Sequence, residues 1–480
     1  MSKVNASDLQ QCQDIAPGGW SELLGPQYGL AALALTGAVA MHAINVHIVT
    51  TVLPSVVQEI GGLQWYAWNT TLFVVASIVG AAVSVKLLSM SGPRLAMLSA
   101  LFVFTIGTLL CATAQNMPSM LLGRTIQGLG GGTFGALSYS LIRMVFPPHL
   151  WPRAIALVSG MWGVATLSGP AVGGIFAQSN QWRWAFGALL PLLALQMLLV
   201  NRQLRAERML VAVGKAPVKI AIHQISYLAL SALLIASASV VDGVVLQCLC
   251  VAAGLAFGIF AILRERSAVT RLFPAGGTSL HHPLGLLYAV VALLLMGTMT
   301  EIYVPYFLQH LHGLKPLTAG YITALLAAGW SLASVFFSGK TGKSARILMQ
   351  TGPALCTLGL VLLAIAMRLP SSIALSVSAL ALSTIGLGVG MAWPHVLNAI
   401  MQSANADDAD AASSAISTAQ LYGMAIGAAL VGLVVNAMGI SAEADAASAS
   451  QSAALLFAVF AIFPALGTLY VRRFLKRTKA

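Results

Sequence analysis

Charge is what this chain has least of. Only 8% of its 480 residues are Asp, Glu, Lys or Arg, against 58% hydrophobic ones. Soluble domains carry about 25% charged residues, so the composition implies a polytopic membrane protein. Acids are scarcer than bases, 13 against 25, giving a net charge of +12. That balance raises nucleic acid as a partner, but no polar stretch is long enough to fold into a basic domain, which excludes it. Cysteine is also scarce. Cys12, Cys111, Cys248, Cys250 and Cys356 show neither a ligand spacing with histidine nor a disulfide framework. No metal and no cofactor is expected, and Cys248 and Cys250, on one apolar stretch, read as small buried residues. A P-loop is missing, which argues against ATP drive. Paired acids and Ser-His-Asp sets facing one surface are missing too, so the chain reads as no enzyme. The first 25 residues are too polar and mixed for a cleaved signal peptide.

What is present is a succession of apolar runs, each near the roughly 20 residues that a spanning helix needs. They lie near 29–53, 66–90, 94–114, 118–146, 150–178 and 182–201, then 221–241 and 245–263, then 284–310, 316–338, 346–367, 371–401, 411–438 and 449–475. Six, two and six make fourteen. The expected division is an N-terminal segment 1–28, a six-helix bundle 29–201, a basic linker 202–220 and two extra spans 221–263. A linker 264–283, a second six-helix bundle 284–475 and a basic tail 476–480 complete it. With the N-terminus inside, all but four of the 25 Lys and Arg fall on the inner side. The exceptions are Arg183, Lys315 and Arg368 outside and Arg124 within a span. Such an asymmetry places both termini in the cytoplasm. The acids Asp407, Asp408 and Asp410 also fall inside, but acids weigh little in this rule.

Polar residues inside the apolar runs are the candidates for chemistry. In span 1, His42 and Asn45 are three apart and share a helix face, while His47 points elsewhere. Either histidine can carry a proton or sit neutral between helices. The aromatics of Gln64-Trp-Tyr-Ala-Trp68 read as an interfacial belt at the start of span 2. Span 4 carries Arg124 and Gln127 before a glycine run in which Gly128 and Gly132 form a small-x-x-x-small face. Arg124 lies about two turns from the outer end of its span. It could snorkel or mark a solute pathway. In span 5, Gly169 and Gly173 form a second close-packing face beside Gly174, and Pro170 removes a backbone donor. Glu301 is the acid clearly within a span, about 25 Å along a helix from its start, hence past the midplane. It is either a proton carrier or an acid near the outer interface. Tyr303, Trp330, Trp393, His395, Asn398 and Tyr422 are candidate cavity lining in the second half, with packing as the alternative for each.

Two stretches carry a family resemblance. Leu122-Gly-Arg-Thr-Ile-Gln-Gly-Leu-Gly-Gly-Gly132 resembles the fourth-span motif of the drug:proton antiporters of the major facilitator superfamily. Ser168-Gly-Pro-Ala-Val-Gly-Gly174 is similar to the antiporter motif of the superfamily's exporters. Tyr303-Val-Pro-Tyr-Phe-Leu-Gln309, Leu317-Thr-Ala-Gly320, Gly386-Leu-Gly-Val-Gly-Met391 and Asp410-Ala-Ala-Ser-Ser-Ala-Ile-Ser-Thr-Ala-Gln420 extend the resemblance, to the fourteen-span group, over nearly the whole chain. The resemblance implies an all-α membrane fold of two six-helix bundles plus two extra spans, which rock about a central cavity. Two departures stand out. Asn45 occupies the place, nine residues before Pro54, where the family usually has an acid. Ser89 stands where the loop motif of Lys86, Gly92 and Arg94 usually has Asp.

The reading is thus an exporter of a small amphipathic drug or metabolite by proton antiport, in a bacterial-type inner membrane. Glu301, His42 and His47 are the candidate proton carriers, and Arg124 is the charge that tunes or answers them. Its partners are small-molecule substrate, protons and the lipid bilayer, and it acts as a monomer. Lack of an acid in span 1 argues against a strongly cationic substrate and leaves an anionic or neutral one. The alternatives are an uncoupled facilitator or uptake carrier of the same fold and, further off, a membrane enzyme or assembly factor.

Overall fold

The computed structural model of the chain describes residues 19–204, 221–268, 270–404, 409–438 and 446–477. Cys12, most of the basic linker 202–220, Asp407, Asp408 and the last tail residues lie outside them. The described residues are helical almost throughout, as apolar runs in a bilayer must be, because lipid offers no partner to a free backbone N–H or C=O. The helices of the first half are α1 (Trp20–Leu23), α2 (Gly29–Ile60), α3 (Trp68–Ala112), α4 (Met117–Val145), α5 (Trp151–Gln178), α6 (Trp182–Gly187) and α7 (Leu189–Gln203). The extra pair is α8 (Ile222–Ser237) and α9 (Val244–Ser267). The second half holds α10 (Pro283–Thr298), α11 (Val304–His312), α12 (Pro316–Phe337), α13 (Gly342–Ala366), α14 (Ser371–Ser403), α15 (Ala409–Ala437), α16 (Ala446–Phe460) and α17 (Ile462–Arg477).

Local chemistry sets several of the ends. Asn116 caps α4 by accepting from the Ser119 N–H at 2.9 Å, with Pro118 in the first turn where its missing N–H costs nothing. Gly313 ends α11 in the left-handed region, at φ 62°. Span 1 runs past its expected end, since α2 passes through Pro54 and stops only at Ile60. Conversely, α3 is not one straight rod. Gly92, at φ 75° and ψ 171°, breaks it just before Pro93.

Eleven stretches among the described residues are long and apolar enough to cross a membrane. The 50-residue stretch Leu63–Ala112 is counted once among them, while Met117–Val145 and the 16-residue α8 are not. Both pieces of α3 flank α4 at one level. Gly128 and Gly132 back onto Phe73 and Ser77 before the break, and Gly130 onto Ala100 and Phe104 after it. The chain therefore doubles back at Gly92.

The two halves meet at the end of the molecule remote from the described termini. There Tyr66 packs against Tyr303, with the rings tilted and their centroids 4.4 Å apart. Asn436 donates to the Gln64 carbonyl at 2.7 Å. A Cβ on Gly320 would meet Thr51 at 2.7 Å and Pro170 at 3.2 Å, and one on Gly174 would meet the Leu317 backbone. Helix α8 lies against both halves. Ser231 bonds Tyr422 at 3.0 Å, the Ser239 carbonyl accepts from Asn436 at 2.8 Å, and the Ser239 hydroxyl accepts from Trp68 at 3.1 Å. Its partner α9 turns an apolar face outward, on which Cys248 is exposed and Cys250 half-buried. This corrects the expectation that both are buried: among the described residues, no helix covers that face of α9 closely enough to enclose them.

Candidate functional site

The first half buries a connected polar network around one side chain of α4. Arg124, on α4, is 2% exposed. Taking a guanidinium into a bilayer costs about 2.5–3.5 kcal/mol at a helix centre, so its contacts must answer for it. Its Nε donates to the Asn69 carbonyl at 3.2 Å and one Nη to Gln127 Oε1 at 2.7 Å. Its charge also lies 4.1 Å from the centre of the Phe73 ring, a cation–π contact. Arg124 is therefore held inside the bundle rather than snorkelling to its edge.

Gln127 carries the network onward. Its Nε2 donates to Asn45 Oδ1 at 3.2 Å and to Thr108 Oγ1 at 2.9 Å, and its Oε1 lies 3.7 Å from Cys111 Sγ. Gln127 thus ties α2 and the second piece of α3 to the guanidinium, which itself bonds the first piece through Asn69. Asn45 is fully buried, and its Nδ2 has no partner among the described residues. Asn69, Phe73, Thr108 and Cys111 were not singled out from the sequence. Polar residues within a spanning run, as Asn69 and Thr108 are, were the available signal.

One turn away, His42 shares the α2 face of Asn45, as the spacing implied. Its ring lies 5.3 Å from Phe73, 6.1 Å from Phe134 and 6.1 Å from Trp162, and its Nδ1 is buried without a partner among the described residues. His47 faces α5 instead, and its Cβ occupies the space above Gly169. Gly173 opposes Ile48 and Thr51, so Gly169 and Gly173 both face α2. Gly174 and Pro170 face α12 of the other half. Helix α5 is thereby wedged between the halves.

The second-half candidates are dispersed. Glu301 is half-buried in the single-residue-tight 3₁₀ stretch Met299–Tyr303 that joins α10 to α11, and its carboxylate makes no hydrogen bond or ion pair with a described residue. Tyr303 is fully buried in an aromatic cluster with Tyr66, Tyr306 and Phe307. Tyr66 is likewise fully buried, so the expectation of an interfacial belt fails for it; the meeting of the halves covers the ring. Trp330 and Trp393 pack edge to face, centroids 5.1 Å apart. His395 is buried with its Nε2 unpartnered, Asn398 is exposed and accepts from Gln402 at 3.4 Å, and Tyr422 is committed to Ser231. None of these is brought into hydrogen-bond contact with Arg124.

Comparison with known proteins gives concordant results. The chain matches the family profile of the Major Facilitator Superfamily over residues 35–428. It is 37% identical over 454 residues to a "probable multidrug-efflux transporter" of Mycobacterium tuberculosis, covering 92% of this chain and 94% of the relative. Its fold resembles a POT family transporter solved in complex with 5-aminolevulinic acid, at a TM-score of 0.69 and 14% identity, covering 96% and 99% of the two chains. It also resembles a D-xylose–proton symporter, at a TM-score of 0.62 and 14% identity, covering 91% and 97%.

Proposed function

Because this chain belongs to the major facilitator superfamily, and is a membrane transporter rather than an enzyme, we propose that it exports a small amphipathic drug or metabolite by alternating access, driven by proton entry. The observation that carries this reading is the placing of α5. Its Gly169 and Gly173 pack on α2 while Gly174 and Pro170 pack on α12, so the stretch resembling the exporters' motif lies where one half must slide on the other. The efflux name of the mycobacterial relative supports the direction.

The eleven apolar stretches become fourteen crossings when α3 is counted on both sides of Gly92 and when α4 and α8 are added. At 1.5 Å per residue α4 is about 43 Å long, enough to cross. With fourteen crossings both termini lie on one side, and the Lys and Arg pattern makes that side the cytoplasm of a bacterial-type inner membrane. The contact between Tyr66 and Tyr303 then closes the outer end. A monomer suffices, since both halves are in one chain. Glu301 is the acid that would carry the proton, with His42 and His47 as further candidate carriers, and Arg124 as the fixed charge that tunes or answers them.

Purified protein in liposomes with an internal pH-sensitive dye, an imposed proton gradient and a panel of amphipathic compounds tests this. A substrate-dependent proton leak that disappears in Glu301→Gln is the expected result. The neutral Asn45 favours a second reading, an uncoupled facilitator. Substrate movement without a proton signal would establish that reading and overturn antiport.

A further inference from the structure

Arg124 is a buried cation without an anion. Among the described residues no carboxylate lies within ion-pair distance of it: Glu59 is taken by Arg183, Glu22 by His149, and Glu265 by the backbone N–H groups of Leu272 and Phe273. The groups that do touch it are a carbonyl, an amide oxygen and an aromatic face, all neutral. Two of its five N–H groups are spent on those bonds, which leaves three free. Beside it, linked through the same Gln127 amide, the Asn45 Nδ2 offers a second donor that is wholly buried and unspent. Unused donors in a low-dielectric interior are costly. Phe73 lies against the guanidinium, and His42, one turn from Asn45 on the same helix, gathers Phe73, Phe134 and Trp162 around its ring.

The geometry points to a binding site for a carboxylate borne on an aromatic or apolar body, with the acid seated on Arg124 and Asn45. A planar carboxylate takes two parallel N–H bonds from a guanidinium and has lone pairs left for the Asn45 amide. It would supply the charge that the protein does not. An ammonium there would face the guanidinium with only neutral groups between them, and a neutral amide would leave the charge unanswered. The inference deepens the export reading by naming the substrate's charge, and rests on that reading only for the direction in which the ligand moves.

The test uses the full chain, purified in detergent, and three probes matched in body: phenylbutyrate, phenylbutyramide and phenylbutylammonium. A ligand that binds only the folded protein raises the thermal unfolding midpoint in proportion to its occupancy. Phenylbutyrate is expected to raise the midpoint saturably, and the other two to leave it unchanged. Asn45→Asp changes the site by one atom and fills it with the missing charge, so the shift is expected to vanish there although the protein folds. Arg124→Gln should lose it as well. A shift from the amide equal to that from the carboxylate, no shift from the carboxylate, or a carboxylate shift surviving in Asn45→Asp would each overturn the proposal. Because this assay has no gradient, its failure leaves a substrate-driven proton leak in liposomes standing, and loss of that leak leaves the binding result standing.

Discussion

Helices α4 and α14 hold matching places in the two halves. Gly128, Gly130 and Gly132 recur at the same spacing as Gly386, Gly388 and Gly390. Gly128 and Gly132 back onto Phe73 and Ser77 of one neighbour, and Gly386 and Gly390 onto Leu326 and Trp330 of the equivalent one. Gly130 approaches Ala100 and Phe104, and Gly388 approaches Gly352 and Cys356, on the third helix of each trio. Four residues before the first glycine the likeness ends. There α4 has Arg124 and α14 has Leu382; one residue before it, α4 has Gln127 and α14 has Ile385. Leu382 and Ile385 are fully buried, and Ile385 packs on Gly359. The glycines alone suffice to close a three-helix contact. We propose that the charge in the first half is present for something other than packing.

That comparison can be broken or sharpened by exchange. The largest effect is expected from filling the stripe. Gly132→Leu drives a side chain into the Ser77 backbone and Gly386→Leu into that of Leu326, and backbone cannot yield as a side-chain tip can. Both variants should lose the monodisperse peak on size-exclusion chromatography; damage in only one would end the equivalence of the two helices. Next comes Leu382→Arg, which places a guanidinium at a fully buried position on an apolar helix. A cost of about 2.5–3.5 kcal/mol should appear as a lowered unfolding midpoint and a reduced yield in the membrane fraction. Smaller in stability, though total in function, is the double change Arg124→Leu with Gln127→Ile, which makes α4 copy α14. Replacing a buried polar group by matched apolar ones is often neutral or stabilising. The midpoint should therefore stay at or above that of the wild type while substrate efflux from cells falls to background. Unfolding of this variant would make Arg124 a structural residue. The smallest effect belongs to Tyr422→Phe, which removes the bond to Ser231. About 0.6 kcal/mol should leave the midpoint, with efflux within about twofold, since that hydroxyl holds the extra pair and not the polar centre.

Much of the architecture could be read from the chain. The apolar runs lie within a few residues of the helices, and the three-residue offset of His42 and Asn45 put them on one face, with His47 on another. The small-residue faces of α4 and α5 were legible because glycines four apart have one local meaning on a helix. Partners were harder to read. Nothing near Asn69 in sequence marks Arg124 as the partner of its carbonyl, and nothing near Thr108 marks Gln127 as its neighbour. Tyr66 read as an interfacial aromatic because its own stretch is rich in tryptophan; its true cover, Tyr303, belongs to the other half. Cys248 and Cys250 read as buried because α9 is apolar all round, a pattern that cannot distinguish lipid from protein as the cover.

Sequence by itself determined where the chain is helical, which residues share each helix face and which faces admit close approach, because helix periodicity and side-chain size act over a few residues. Only the tertiary structure decided which face meets which. It brought Gln127 to Asn45, 82 positions away, and left Arg124 without a carboxylate among the described residues. Burial in a bilayer removes water as a universal partner, so every polar group answers to whichever helix happens to cover it.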